Sequence, residues 1–174
     1  MLMEDLKIKL CGGVKPQKMH PEDAAYDLFL PSDVQVREGR QVIPLGFCIE
    51  LKKGQTALIR PRSGFSAKGI EAVITEVVAY AERKTVCRLD ADVLEGTIDP
   101  NYRGEVGVIL KCNHRLYGRK AVIPAQTRIA QMLIVETPET RLVESEELSS
   151  TDRGTDGYGS TGTKGKKTSK KSAK

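Results

Sequence analysis

No tryptophan occurs in this 174-residue chain, and aromatic residues make up only 5% of it. Each Tyr or Phe placed near polar residues is therefore a candidate ligand contact. Long apolar runs are missing too, so no segment has the length of a membrane-spanning helix. The start, Met1-Leu2-Met3-Glu4-Asp5, has neither a basic n-region nor an apolar h-region, which gives no expectation of secretion. Histidine is scarce: His20 and His114 stand far apart, against a zinc centre or a His-based triad. Cys11, Cys48, Cys87 and Cys112 include no CxxC pair. Reduced thiols that serve as packing residues in a cytoplasmic protein are the expectation. The fold also lacks an excess of positive charge, although the chain carries +5. Six of the 28 basic residues are lysines in the acid-free stretch from Lys164 to Lys174, which leaves 22 against 23 acids, or −1, for residues 1–163. A basic footprint for nucleic acid across the whole fold is excluded.

Short alternating segments and frequent turns are what the chain does have. Leu6-Lys7-Ile8-Lys9-Leu10 alternates apolar and polar residues before Gly12-Gly13 breaks the pattern. Val34–Val36, Gln41–Pro44, Phe47–Leu51, Thr56–Ile59, Lys120–Ile123 and Arg128–Val135 read as further strands, with turn residues between them. This rhythm predicts an all-β sandwich or barrel. Residues 71–90 have helical apolar spacing but β-branched content, which predicts strands flanking a loop. The core is expected over residues 1–142. An acidic, Ser-rich linker follows at 143–150, a Gly-rich arm at 151–162 and a disordered Lys-rich tail at 163–174.

Several polar blocks carry possible chemistry. Arg62, Ser63 and Gly64 offer a planar fork, a hydroxyl and close backbone approach, a set suited to phosphate but without Walker spacing. From Gly96 through Ile98 to Gly107 the chain reads as strand, tight turn and strand, a hairpin whose tip carries Asp99 and Tyr102. Asp27 and Asp99 are candidate acids for a metal or a water. Gln131 stands inside an apolar strand, where a buried amide needs a partner. Arg153, Gly157, Tyr158, Gly159, Ser160 and Thr161 suit phosphate together with a flat ring. Taken singly, each block has an ordinary structural account as a surface turn, a strand end or a flexible linker.

Their order is the stronger signal. Ala-Ala-Tyr-Asp-Leu comes first, then Pro-Arg-Ser-Gly, Gly-Thr-Ile-Asp-x-x-Tyr-Arg-Gly, Arg-Ile-Ala-Gln, and Arg-Gly-x-x-Gly-Tyr-Gly-Ser-Thr-Gly. This series closely resembles the five motifs of the trimeric deoxyuridine triphosphatases (dUTPases), over residues 6–162. The resemblance implies a jelly-roll-like β-barrel, a homotrimer with active sites shared between subunits, and Mg²⁺-assisted hydrolysis of dUTP to dUMP and pyrophosphate. Such an activity keeps uracil out of DNA. By the resemblance, Asp99 activates the water and Tyr102 lies under the deoxyribose. The backbone from Gly96 through Ile98 to Asp99 reads the uracil edge. Arg62, Ser63, Gly64 and Gln131 face the phosphates or the water. Asp27 supports the metal region through water, with Mg²⁺ held mainly by the triphosphate. Arg153 grips the terminal phosphate, Gly157, Gly159, Ser160 and Thr161 wrap the phosphates, and Tyr158 covers the uracil.

The departures from the family pattern are Ala25 in motif one, Gln126-Thr127 before the Arg of motif four, and Tyr158 where Phe is usual. The segment between motifs two and three is also about twenty residues longer than in a simple member, as a surface excursion or functional loop would make it. Two rivals remain: the dCTP deaminase branch of the superfamily, and a dUTPase shell that binds partners through the insert or tail. The Asp99-to-Tyr102 spacing and the Gly-rich block favour the triphosphatase. The Lys tail reads as a solubilising end, or else as a nuclear address or weak nucleic-acid contact.

Overall fold

Val106, Val108, Leu110 and Cys112 are buried at every second position of Glu105–Cys112. Only a strand puts residues of that period on one face. The same logic recurs along the chain. The computed structural model describes residues 5–152, 154 and 155, in which twelve strands and one helix occur in the order β1 Lys7–Leu10, β2 Tyr26–Phe29, β3 Val34–Val36, β4 Gly39–Glu50, β5 Gln55–Arg60, α1 Ser63–Lys68, β6 Ile70–Val78, β7 Ala81–Leu89, β8 Ala91–Leu94, β9 Gly96–Ile98, β10 Glu105–Cys112, β11 Lys120–Ile123 and β12 Arg128–Glu136. The fold class is all-β, as expected. Its strands form three four-stranded sheets, β1-β4-β10-β8, β3-β11-β6-β7 and β2-β12-β5-β9, rather than one closed barrel. Their inner faces share an apolar core that includes Phe47, Leu28, Leu45, Leu110, Ile123 and Ile129.

Two local readings change. Gln41–Pro44 and Phe47–Leu51 belong to a single strand, β4, because Gly46 at φ +70° supplies a bulge without breaking the ladder. Residues 63–68, expected as part of a strand end, form α1, whose one buried side chain is Phe65. The long segment after it holds the expected strands flanking a loop, as one continuous antiparallel hairpin: β6 and β7 pair from Ile70↔Leu89 to Val78↔Ala81 around the two residues Ala79 and Tyr80. The inner part of that hairpin buries Ile70, Ala72 and Ile74 on one face and exposes Val86, opposite Val73, on the other, and its outer part exposes Val77, Val78 and Tyr80.

The main compact unit ends at Glu139, and a second unit starts at Thr140. The described residues of the second unit contain no strand or helix. Arg153, Gly157, Tyr158, Gly159, Ser160 and Thr161, with the Lys-rich tail, lie outside the described residues.

Candidate active site

Strand register decides which of the expected residues meet. Gln131 on β12 stands directly opposite both Asp27 on β2 and Arg60 on β5. Residues in direct register share a face, so Asp27, Gln131 and Arg60 make one polar row across three strands. Their neighbours Tyr26, Met132 and Ile59 form the next row, on the opposite face, where Met132 and Ile59 are buried. Gln131 is therefore half-exposed on the outer face and not buried among the apolar residues that flank it in sequence. Its side-chain amide donates to the Pro61 carbonyl at 2.9 Å, which fixes the amide plane beside the Arg62 turn.

A polar depression of about 380 Å³ lies on this face, lined by Asp27, Arg62, Ser63, Gly64, Arg128 and Gln131 among others. Arg62 Nε donates to Asp27 Oδ1 at 2.8 Å, and Arg128 Nη1 to Asp27 Oδ2 at 3.2 Å. Asp27 is 13% exposed, against 28% and 43% for the two arginines. The carboxylate thus sits deeper than its partners and holds both guanidinium groups at the rim. Arg128 stands three residues before Gln131 in motif four, but its motif alone assigns it no role. The Asp27 ion pair supplies one. Ser63 and Gly64 are exposed at the start of α1. A Cβ on Gly64 would meet nothing within 4 Å, so the chain's own packing does not require that glycine.

Asp99 and Tyr102 occupy a different depression, of about 240 Å³, lined also by Gly96, Ile98, Ile59 and Glu105 among others. The expected hairpin at this point is instead a corner. Beyond Asp99 the chain changes sheets: β9 pairs with β5, whereas β10 pairs with β4 and β8. Side chains take up carbonyls that a ladder would otherwise use. Arg103 Nη1 donates to the carbonyls of Pro100 at 2.7 Å and Tyr102 at 2.9 Å. The Tyr102 hydroxyl donates to the Glu105 carbonyl at 2.9 Å, and the Glu105 carboxylate accepts the Gly46 N–H at 2.7 Å. The Tyr102 N–H closes the turn on the Asp99 carbonyl at 3.1 Å. Asp99 itself is exposed, and its carboxylate has no hydrogen bond or ion pair among the described residues. Sequence reading assigned no part to Arg103 or Glu105; their contribution is to hold the corner.

Gly96 pairs with Ile59, the row of β5 that faces away from Arg60. The acid-tipped corner and the guanidinium-lined depression share no lining residue.

An all-β shell that presents arginines, a hydroxyl and a fixed amide in one depression, and a free acid beside a phenol in another, has the groups of a class suited to phosphate ligands. Within that class the match is specific. The dUTPase family model covers residues 13–162, and the chain belongs to this family. Among curated relatives, a deoxyuridine 5'-triphosphate nucleotidohydrolase of Gloeothece citriformis is 35% identical over 87% of this chain and 90% of its own length. One from Beijerinckia indica is 38% identical over 71% of this chain and spans 64% of its own length. Among solved structures, the dUTPase of Staphylococcus bacteriophage 80alpha with dUPNHPP has the same fold, at a TM-score of 0.73 and 24% identity over 92% of this chain and 99% of that one.

Proposed function

We propose that this chain hydrolyses dUTP to dUMP and pyrophosphate at sites completed by a second copy of itself. The observation that carries the reading is that the Asp99–Tyr102 corner and the Arg62–Asp27–Gln131 face line separate depressions with no residue in common. A nucleoside triphosphate held by one copy's arginines reaches an acid only if another copy presents its corner. A closed homotrimer gives each such contact an identical setting. The names of the curated relatives and the dUPNHPP held by the phage enzyme support the substrate class.

In this site Asp99 accepts the proton of the attacking water, since it is the carboxylate left without a partner at the corner. Attack falls on the α-phosphorus, in line with the departing pyrophosphate. Tyr102 lies against the deoxyribose, and the backbone from Gly96 to Ile98 reads the uracil edge. Arg62 and Ser63 donate to phosphate oxygens, Gly64 admits the chain closely, and Gln131 donates to a phosphate or holds the water. The phosphate and ring contacts expected of Arg153 and of Gly157, Tyr158, Gly159, Ser160 and Thr161 fall on residues outside those described.

The donor set fits magnesium. A hard divalent ion takes phosphate and water oxygens with one or two carboxylates, and Asp27 keeps lone pairs beyond the two given to arginines. Among the described residues no cluster of three or more ligating side chains exists to hold an ion without the triphosphate. The ion supplies charge neutralisation along the phosphates, while the arginines receive the charge that grows on pyrophosphate.

The test is pyrophosphate release from dUTP, dCTP, dTTP and UTP in parallel, with Asp99→Asn alongside. Release from dUTP alone, lost in the variant, is expected. Ammonia from dCTP would move the chain to the deaminase branch. Absence of turnover on all four would leave a binding shell.

A further inference from the structure

We propose that Gly104 is a positioning residue for sugar selectivity: it leaves open the space into which the Tyr102 ring folds. A Cβ on Gly104 would stand 2.4 Å from the Tyr102 hydroxyl oxygen, 2.6 Å from Cζ and 3.0 Å from Cε2. The first two are closer than real Cβ atoms come to other heavy atoms, and the third is tighter than most real Cβ contacts. Gly104 is not among the positive-φ residues. Its backbone would therefore accept an L side chain, and the ring alone demands the glycine. The other glycines of the site behave differently. A Cβ on Gly64 meets nothing, and on Gly96 it comes no nearer than 3.7 Å, to Ile59.

The ring has little room to give way. Its hydroxyl is tied to the Glu105 carbonyl at 2.9 Å. Glu105 is in turn tied through its carboxylate to the Gly46 N–H of β4 at 2.7 Å. At the other end, the Tyr102 N–H and carbonyl are held by Asp99 and by Arg103. With both ends fixed, the ring relieves a Cβ at Gly104 only by breaking its hydroxyl bond and tilting into the depression that it lines with Asp99. This inference rests on the reading that the nucleotide's sugar lies against Tyr102. On that reading the tilt moves the wall that separates deoxyribose from ribose. The uracil-reading strand stays in place, because Gly96–Ile98 is held by its own ladder to β5.

The test is a cycle of Tyr102→Ala, Gly104→Ala and the double variant. It is read in kcat/KM for dUTP, UTP and dTTP, and in melting temperature. A displacement near 1 Å at a reacting centre costs on the order of a hundredfold. Gly104→Ala is expected to lower kcat/KM for dUTP by about that factor and to collapse the dUTP-over-UTP ratio, while dTTP stays excluded. In the Tyr102→Ala background the same change is expected to cost almost nothing in either rate or melting temperature. An unchanged ratio in Gly104→Ala, or an equal cost in both backgrounds, overturns the proposal. Should Gly104→Ala fail to fold, recovery of folding in the double variant supports it and continued failure overturns it. A Tyr102→Ala variant that keeps full sugar selectivity sinks the Tyr102–sugar reading itself. The melting cycle still reports whether Gly104 is coupled to Tyr102, so the two failures are told apart.

Discussion

Arg62 donates to Asp27 at 2.8 Å, and this bond joins the turn before α1 to the second strand of the chain. Asp27 is the deeper partner and also holds Arg128. Removing its charge leaves two guanidinium groups facing each other across the polar depression. Asp27→Asn is expected to lower kcat/KM by about 10- to 100-fold through misplaced arginines. It should cost about 1–3 kcal/mol of stability, below the range for fully buried pairs because Arg128 is partly exposed. Denaturant unfolding beside steady-state rates checks both. Full activity in the variant would mean that the arginines need no such anchor.

The loop after β1 crosses β4 at Gly13 and Gly46. The Cys11 and Gly13 N–H groups both donate to the Gly46 carbonyl, at 2.7 and 2.9 Å. A Cβ on Gly13 would lie 2.0 Å from the Leu45 carbonyl oxygen, and Gly46 combines φ +70° with the Gly13 nitrogen 2.4 Å from its Cβ position. Backbone cannot yield as a flexible side chain does. Gly13→Ala is expected to destabilise the fold by about 3 kcal/mol or more. Gly64→Ala should leave the melting temperature almost unchanged and act on nucleotide binding alone. Equal melting shifts for the two variants would contradict this division.

Period-2 patterning made the all-β class and most strand positions legible, and motif order made the family legible. What local sequence could not show was which face a polar residue takes. Gln131 reads as buried because Ala130, Met132 and Leu133 surround it, yet its register with Asp27 and Arg60 turns it outward. The Asp99–Tyr102 segment has turn chemistry compatible with a hairpin. Only the pairing of β9 with β5 and of β10 with β4 makes it a corner between sheets. The short helix α1 carries no apolar period, since Phe65 is its single buried side chain. The partner of Arg128 lies 101 residues away in sequence, beyond any local pattern.

Thiol chemistry should separate the cysteines, all four of which are free. Cys11 is exposed, so the expected packing role fits Cys112, which is buried, and not Cys11. Loss of hydration pushes the Cys48 thiol up, and the neighbouring Cys11 thiol adds to that. Burial pushes Cys112 up as well. A raised value keeps the thiol protonated, so at neutral pH Cys11 should react first with a disulfide reagent and Cys112 last. The contribution of these thiols to stability is full below the unfolded value of about 8.5 and is lost as pH rises through the folded value. Alkaline loss of melting temperature should therefore be smaller in Cys48→Ser. Equal labelling rates at all sites in the native protein would refute the order.

At the tip of β6–β7, Ala79 and Tyr80 have φ of +49° and +69°. Two-residue hairpin turns favour this left-handed pair, but Asn-Gly adopts it at far lower cost than Ala-Tyr. Tyr80 is fully exposed and gives up no packing. Replacing the pair by Asn-Gly is expected to stabilise the hairpin by about 1 kcal/mol, slowing amide exchange in β6 and β7 roughly fivefold. Activity should not change, since neither residue lines either depression. Faster exchange would show that Tyr80 has a contact worth more than its backbone strain.

Asp99 and Gln131 line separate depressions, which makes a test that single variants cannot offer. If each site takes its corner from one copy and its arginine face from another, Asp99→Asn and Gln131→Ala disable different halves. Each variant alone should be inactive. After unfolding and refolding together in equal amounts, subunits mix at random. A site is then intact when its corner comes from the Gln131→Ala chain and its phosphate face from the Asp99→Asn chain, which happens in about one case in four. Activity near a quarter of the native rate is expected, and it should appear only in the mixed sample. No recovery, with mixing verified by mass, would mean that both halves of each site belong to one chain. The two separate depressions would then need a different explanation.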